Sequence, residues 1–322
     1  MTRRAILAIT VAACLAPVTT VTFAQEAYPS KSIRLVVPYP PGGGADGLAR
    51  MIARKLSDAI GQTVIIDNKP GANTMLASSE VARAPADGYT LLYVASSFTI
   101  NPSLYKVPYD TVQAFTPVAM VAIVPLIIIR NQKAPYNTLV DLLAAAKAKP
   151  GQINFASYGQ GSPAHLGGEL LASIAGVEMV HIPYKGSAPA LADLIGGSVE
   201  VDFSSVEPAL PLIAAKKVFP IAVMTKKRIA ALPDVPAVSE TFPGFEAIGW
   251  NGIVAPAGTP AAIVNKLNQA VNEAVNSVDM QAAYAKQGVV PEPMSPQAFG
   301  KLIKDEVVKW GEVVKKASVK VS

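Results

Sequence analysis

Short apolar segments alternate with helix-like segments along almost the whole chain, and this alternation constrains the fold more than any other feature. "SIRLVVPY" precedes a helix-like run near Asp46 to Ala59, and "TVIID" precedes one near Thr74 to Arg83. "YTLLYVAS" follows, then a Pro-rich stretch and the apolar run Phe115 to Ile129. Beyond it lie a helix near Leu139 to Lys147, the strand "INFASY", a helix from Pro163 to about Ile174, and the strand "VEMVHIPY". A helix near Pro189 to Ile195, the strand "VEVDFSS", a helix near Pro208 to Ala215 and the strand "VFPIAVM" complete the series. Short apolar strands separated by helices build parallel sheets covered on both faces. The expected class is α/β.

Helix starts are marked by hydroxyl–proline pairs. Ser162-Pro163, Thr259-Pro260 and Ser295-Pro296 each place an N-cap hydroxyl before a proline at the first helical position. From the last of these, Phe299, Ile303, Val307, Trp310 and Val314 recur at helical spacing, leaving Lys301, Lys304, Lys309 and Lys315 to solvent. The segment Thr225 to Pro260 breaks the alternation with several prolines and carries "AIGWNGIVAPAG" as an added strand. Two helices remain after it, too little for a separate domain, so the chain is expected to return to its first lobe. With crossings near Pro125 and Gly249, the first lobe spans 25–124 plus 249–322 and the second 125–248. At 322 residues, two lobes of ordinary size are affordable in core volume.

The first 24 residues read as a signal peptide. "MTRR" is basic, "AILAITVAACLA" apolar, and "TFA" ends in a small residue before Gln25. "VAAC" also resembles a lipobox, which would make Cys14 a lipidated terminus, but the following "LAPVTTVTFA" is apolar where a tether is polar. "TRRAIL" lacks the usual flanks of a twin-arginine signal. A Sec-type leader and a periplasmic mature chain are expected. Cys14 is the single cysteine, so that mature chain has no disulfide, thiolate metal site or cysteine nucleophile. Removing Arg3 and Arg4, the charged residues of the leader, takes the net charge from +5 to +3, with no long basic run. Nucleic acid is excluded as a partner, since phosphate binding needs clustered Lys and Arg. The run Phe115 to Ile129 is short for a membrane span and holds Pro117 and Pro125, so it reads as buried strand.

Two glycine loops carry the candidate chemistry. In "VVPYPPGGGADGLARMIARKL", Gly42, Gly44 and Gly47 fit G-x-G-x-x-G, and Asp67 follows at about the distance of a ribose-binding acid. Pro38, Tyr39, Pro40 and Pro41 separate the strand from the first glycine, however, which a dinucleotide turn does not allow. A plain strand-to-helix turn and an anion site made of glycine amides at a helix N-terminus remain. The second loop is "FASYGQGSPAHLGGELL", with Gly159 and Gly161 before the capped helix. Ser162 and His165 lie one turn apart, which opens the alternative of an exported serine hydrolase. There is no G-x-S-x-G and no evident acid to orient His165, and the helix N-terminus disfavours its protonation. Two histidines, His165 and His181, without cysteine make a weak case for zinc, and no metal or cofactor is expected.

Taken in order, these segments resemble the Bug family, the substrate-binding proteins of tripartite tricarboxylate transporters. The likeness runs from "YPSKSIRLVVPYPPGGGADGLAR" through "ADGYTLLYVASSFTINPSLY" and "GSPAHLGGELLASIAGVEMVHIPYKGSAPALADLIGGSVEVDF" to "LPDVPAVSE" and "WNGIVAPAGTP". The resemblance implies a two-lobed, type II-like periplasmic binding protein that closes on a small carboxylate in the inter-lobe cleft. It implies a monomer that is no enzyme and delivers its ligand to integral membrane transporter subunits. The loops matching "PYPPGG" and "GQGSPAH" are expected to face each other, with Gly42, Gly43 and Gly44 offering amides from one lobe and Gly161 and Ser162 from the other. Tyr39, Ser97, Phe98, Tyr158 and His165 are expected around them, with Ser204 and Ser205 at the far side.

Overall fold

A computed structural model of the chain describes residues 28–42 and 44–319. The expected leader, Cys14 and Gly43 lie outside the described residues. In one half of a long sheet, β1 (Ile33–Val37) lies between β2 (Val64–Asn68) and β3 (Thr90–Ala95), all parallel. β3 pairs antiparallel with β9 (Ile248–Pro256), and β9 with the N-terminal part of β4 (Phe115–Arg130). In the other half, β5 (Ile153–Ser157) lies between β6 (Met179–Pro183) and β7 (Val201–Ser205), again parallel. β7 pairs antiparallel with the end of β4, and β8 (Phe219–Val223) takes that segment's opposite edge. The expected parallel pairing therefore holds within each group of three strands and fails at β4, β8 and β9.

The apolar run Phe115 to Ile129 is a single strand that serves both halves. β9 follows it as far as the Pro125–Ile248 pair, and β7 takes over at the Leu126–Ser205 pair. Proline offers no N–H to a ladder, so it is tolerated where one set of partners gives way to another. Pro117 sits beside a register shift for the same reason. Among the described residues, no helix is long and apolar enough to cross a membrane.

Ten helices cover the sheet among the described residues. α1 (Gly44–Ile60) buries Leu48, Ala49, Ile52, Ala53 and Leu56, a single helical stripe that packs with β1 residues Ile33, Leu35 and Val37. α2 (Met75–Val81) and α3 (Ser97–Leu104) flank β3, and α4 (Leu139–Ala148) precedes β5. α5 (Pro163–Ala175), α6 (Ser187–Gly196) and α7 (Val206–Ala214) follow β5, β6 and β7. Three helices, not the expected two, come after β9: α8 (Ala261–Val275), α9 (Val278–Gln287) and α10 (Pro296–Lys316).

Ser162 and Ser295 cap α5 and α10 as expected, accepting from His165 N and Ala298 N. Thr259 does not cap α8. Its hydroxyl donates to the Pro256 carbonyl at 2.7 Å and closes a turn instead.

α10 ties the two halves together. Phe299 and Ile303 join the core beside β9, whereas Trp310, Val313 and Val314 join the core around Phe155 and Phe203. The expected stripe is modified at its centre, where Glu306 is buried in place of Val307. Its carboxylate accepts from the Trp310 indole N–H and from Lys309 Nζ, and Lys309 lies 4.3 Å over the Trp310 ring. Lys309 is thus half-buried rather than free in solvent. Close approach of α10 to the sheet requires Gly252 in β9, since a Cβ there would lie 2.3 Å from Phe299 Cζ.

Candidate functional site

The parallel strands β1, β3, β5 and β7 all end towards one cleft of about 390 Å³, lined by the loops that leave them. Ligands of open α/β sheets gather outside the carboxyl ends of strands, where loop amides and side chains converge. Six of the residues expected from the sequence line this cleft: Tyr39, Gly44, Ser97, Tyr158, Gly161 and Ser162. The Tyr39 hydroxyl lies 3.2 Å from Ser97 Oγ. Burial pushes the phenols of Tyr39 and Tyr158 upward, so both are neutral donors near neutral pH. In the Tyr158 case the Ser205 side chain and the Ala164 N–H partly offset the rise.

The other expected residues lie elsewhere. Phe98 turns into the core, stacked on Tyr109 and edge-on to Phe115. Ser204 is buried within β7. Ser205 stands at the N-cap of α7 without a capping bond. Gly42 is exposed and His165 buried, and neither lines the cleft; Gly43 lies outside the described residues.

The two glycine loops share one device, and it differs from the expected use of their amides. Gly42 (φ 87°) and Gly161 (φ 70°) both turn through the left-handed region that glycine adopts without strain. Each amide then donates to the side chain four residues on. Gly42 N–H reaches Asp46 Oδ2 at 2.9 Å, and Gly161 N–H reaches His165 Nδ1 at 3.0 Å. Asp46 and His165 are each the third residue of their helix, so the pattern is a side chain reaching back to an otherwise unpaired N–H. Ser162 N–H is also taken, by the Gly159 carbonyl at 3.1 Å. Asp46 is almost fully buried. Its hydrogen bond from Arg50 Nε, then those from Gly42 N and Asn68 Nδ2, hold it at about 2 against a partial rise from burial.

These contacts also settle the geometry of the Ser162–His165 pair. Ser162 Oγ accepts from the backbone N–H of His165, not from its ring. The ring's Nδ1 is occupied by Gly161, and Nε2 faces Glu169 Oε1 at 3.6 Å. No nucleophile–base hydrogen bond forms, so the hydrolase alternative lacks the arrangement it requires. The His165 ring stacks on His181 at 3.6 Å, and His181 Nε2 meets Ser157 Oγ at 2.7 Å. Burial, then the neighbouring His165, lowers His181 to about 3, which keeps it neutral. Among the described residues, no group of three or more His, Cys, Asp or Glu is placed to hold a metal ion.

Three of the cleft residues that sequence reasoning missed matter to its geometry and charge. Ser96 accepts from Trp250 N–H at 2.8 Å and so ties β9 to the start of α3. Asn73 sits on a turn where Ala72, Asn73 and Thr74 all have positive φ. That strain is held by Asn101, which is fully buried and exchanges hydrogen bonds of 2.7 Å with Asn73. "KPGANT" signals a turn, but nothing local in it announces a left-handed run through Ala and Thr. The third is Glu207 in the first turn of α7. Its Oε2 lies 3.2 Å from where a Cβ on Gly44 would be, so it faces the start of α1 across the cleft. Burial raises its carboxyl above the usual range.

Comparison with known proteins places this architecture. The profile of the tripartite tricarboxylate transporter family receptor matches residues 48–319. The chain belongs to this receptor family. The likeness to Bug proteins read from the sequence agrees with it: protein BugT of Bordetella pertussis (strain Tohama I) is 37% identical over 299 residues, 92% of each chain. Among solved structures, R. palustris Rpa4515 with adipate is 35% identical with a TM-score of 0.77, covering 91% of this receptor and 99% of that chain. MatC (Rpa3494) from Rhodopseudomonas palustris with bound malate is 30% identical with a TM-score of 0.72, covering 89% and 100%. The receptor thus has the two-lobed α/β fold of periplasmic solute-binding proteins.

Proposed function

We propose that this receptor captures a small organic acid in the cleft and hands it to integral membrane subunits of a transporter. The ligand lies between a first lobe of residues 25–124 plus 249–322 and a second of 125–248. The mature chain begins at Gln25, works in the periplasm as a monomer, and performs no reaction on what it binds. The observation that carries the reading is the convergence of neutral donors on the cleft. Tyr39 and Ser97 come from the first lobe, Tyr158 and Ser162 from the second, and the N-terminus of α1 opens beside them. Ser162 Oγ spends only its lone pairs on the helix cap, which leaves its proton for a ligand oxygen. Neutral donors favour an oxyanion without fixing its full charge. The adipate and malate held by its relatives are acids of the right size for a cleft of this volume.

A thermal-shift screen tests the reading. Carboxylic acids should raise the melting temperature, and ligand at about a hundred times Kd should add roughly 2.7 kcal/mol of stability. Sugars that shift the melt while no carboxylic acid does would refute it. Turnover of simple esters would refute the non-enzymatic role.

A further inference from the structure

Glu207 places a carboxylate in a cleft that is proposed to take an acid. Its carboxylate is half-buried on the cleft wall and makes no hydrogen bond or ion pair among the described residues. No lysine, arginine or histidine lines the cleft, so Glu207 is its single charged side chain among the described residues. The nearest first-lobe neighbour is Gly44, whose missing side chain leaves room for the Glu207 oxygens. The other acid near that loop, Asp46, is already paired with Arg50 and turned away from the cavity. A ligand carboxylate can be met by the hydroxyls of Tyr39, Ser97 and Ser162. A second ligand carboxylate would enter beside Glu207 with no cation to offset either charge. Like charges at short range in a low-dielectric cavity repel strongly, and an ammonium at the same place would be attracted as strongly.

We propose that Glu207 is a specificity-determining residue that selects acids carrying an ammonium group at the end opposite their carboxylate, and disfavours dicarboxylates of the same length. The inference rests on the cleft being the acid-binding site argued above. It narrows the ligand to an amino acid of extended shape, with the carboxylate among the hydroxyls and the ammonium against Glu207. Burial raises the Glu207 carboxyl, and no cationic side chain of the described residues lines the cleft beside it. A ligand cation would supply the missing partner.

The test uses two matched pairs, γ-aminobutyrate against glutarate and δ-aminovalerate against adipate, titrated calorimetrically into the wild-type receptor and Glu207→Gln. Within each pair only the terminal group differs, ammonium against carboxylate. The wild type should bind the amino acid at least about tenfold more tightly than the diacid, as a charge-assisted contact against a repulsive one requires. Glu207→Gln should lose that preference, weakening the amino acid and strengthening the diacid, while the free protein melts no lower than the wild type. Equal or tighter diacid binding by the wild type overturns the proposal, as does a Glu207→Gln protein with the same preference. Heat from neither class, nor from any other carboxylic acid, overturns the acid-receptor reading itself and this proposal with it.

Discussion

Asp202 sits in β7 between Ile129 of β4 and Ala156 of β5, with both carboxylate oxygens buried and no hydrogen-bond partner among the described residues. Burial raises its carboxyl to about 7. A carboxyl with a folded pKa above its unfolded value near 3.8 favours the folded state when protonated. That advantage fades as pH rises through about 7, leaving a cost of a few kcal/mol on the alkaline side. Asp202→Asn should therefore be the more stable protein at pH above about 7, with the difference shrinking towards about pH 4; urea unfolding across that range reads it directly. Ser162 caps α5 and is proposed to meet the ligand, and one substitution tells the two roles apart. Ser162→Ala should cost about 1 kcal/mol from the lost cap and should also weaken ligand binding. A variant with a lowered melt and full affinity would confine Ser162 to the cap. At this scale the sequence was legible in residue type and position: Tyr39, Ser97, Tyr158 and Ser162 do reach the cleft. It was not legible in the direction of an amide, because Asp46 and His165 take the Gly42 and Gly161 N–H groups only once each helix has formed.

Elements with wide apolar stripes or paired caps were readable in advance, as α1, α5 and α10 show. α3 was not, because Pro102 inside it looks like a breaker and its apolar content has no clear helical side. α9 was missed because it buries only Met280 and Tyr284, a stripe too narrow to announce itself, and leaves Val278 exposed. Thr259 misled because the same hydroxyl–proline pair serves a turn as readily as a cap. The contact of α10 with β9 makes the clearest element-scale prediction. Gly252→Ala must push Phe299 aside or move the helix, since the Ala119 carbonyl is also only 3.0 Å from the new Cβ. The loss of stability should be about 1–3 kcal/mol, the usual range for an overfilled core. Chemical denaturation checks it, and restoration of stability by Phe299→Leu in the Gly252→Ala background would identify the ring as the obstacle.

For the whole molecule, alternation of strands and helices foretold the α/β class because each short strand is buried on both faces and so reads as uniformly apolar. The same uniformity hid strand direction: nothing in Phe115 to Ile129 says that it runs antiparallel to its neighbours or that it belongs to both halves of the sheet. Long-range pairing of this kind depends on residues more than a hundred positions apart, as between Trp250 and Ser96. Placing β4 and β9 side by side between the two parallel groups is what brings their strand ends to one cleft. The central claim is that an organic acid binds there, against the hydroxyls of both lobes. Calorimetric titration of the best acid from the thermal screen into wild type and Ser97→Ala tests it most directly. One site per chain is predicted, weakened about tenfold by loss of a single hydrogen bond, with the free protein's stability lowered by only about 1 kcal/mol for the lost Tyr39 contact. Equal affinity in the two proteins would contradict the account.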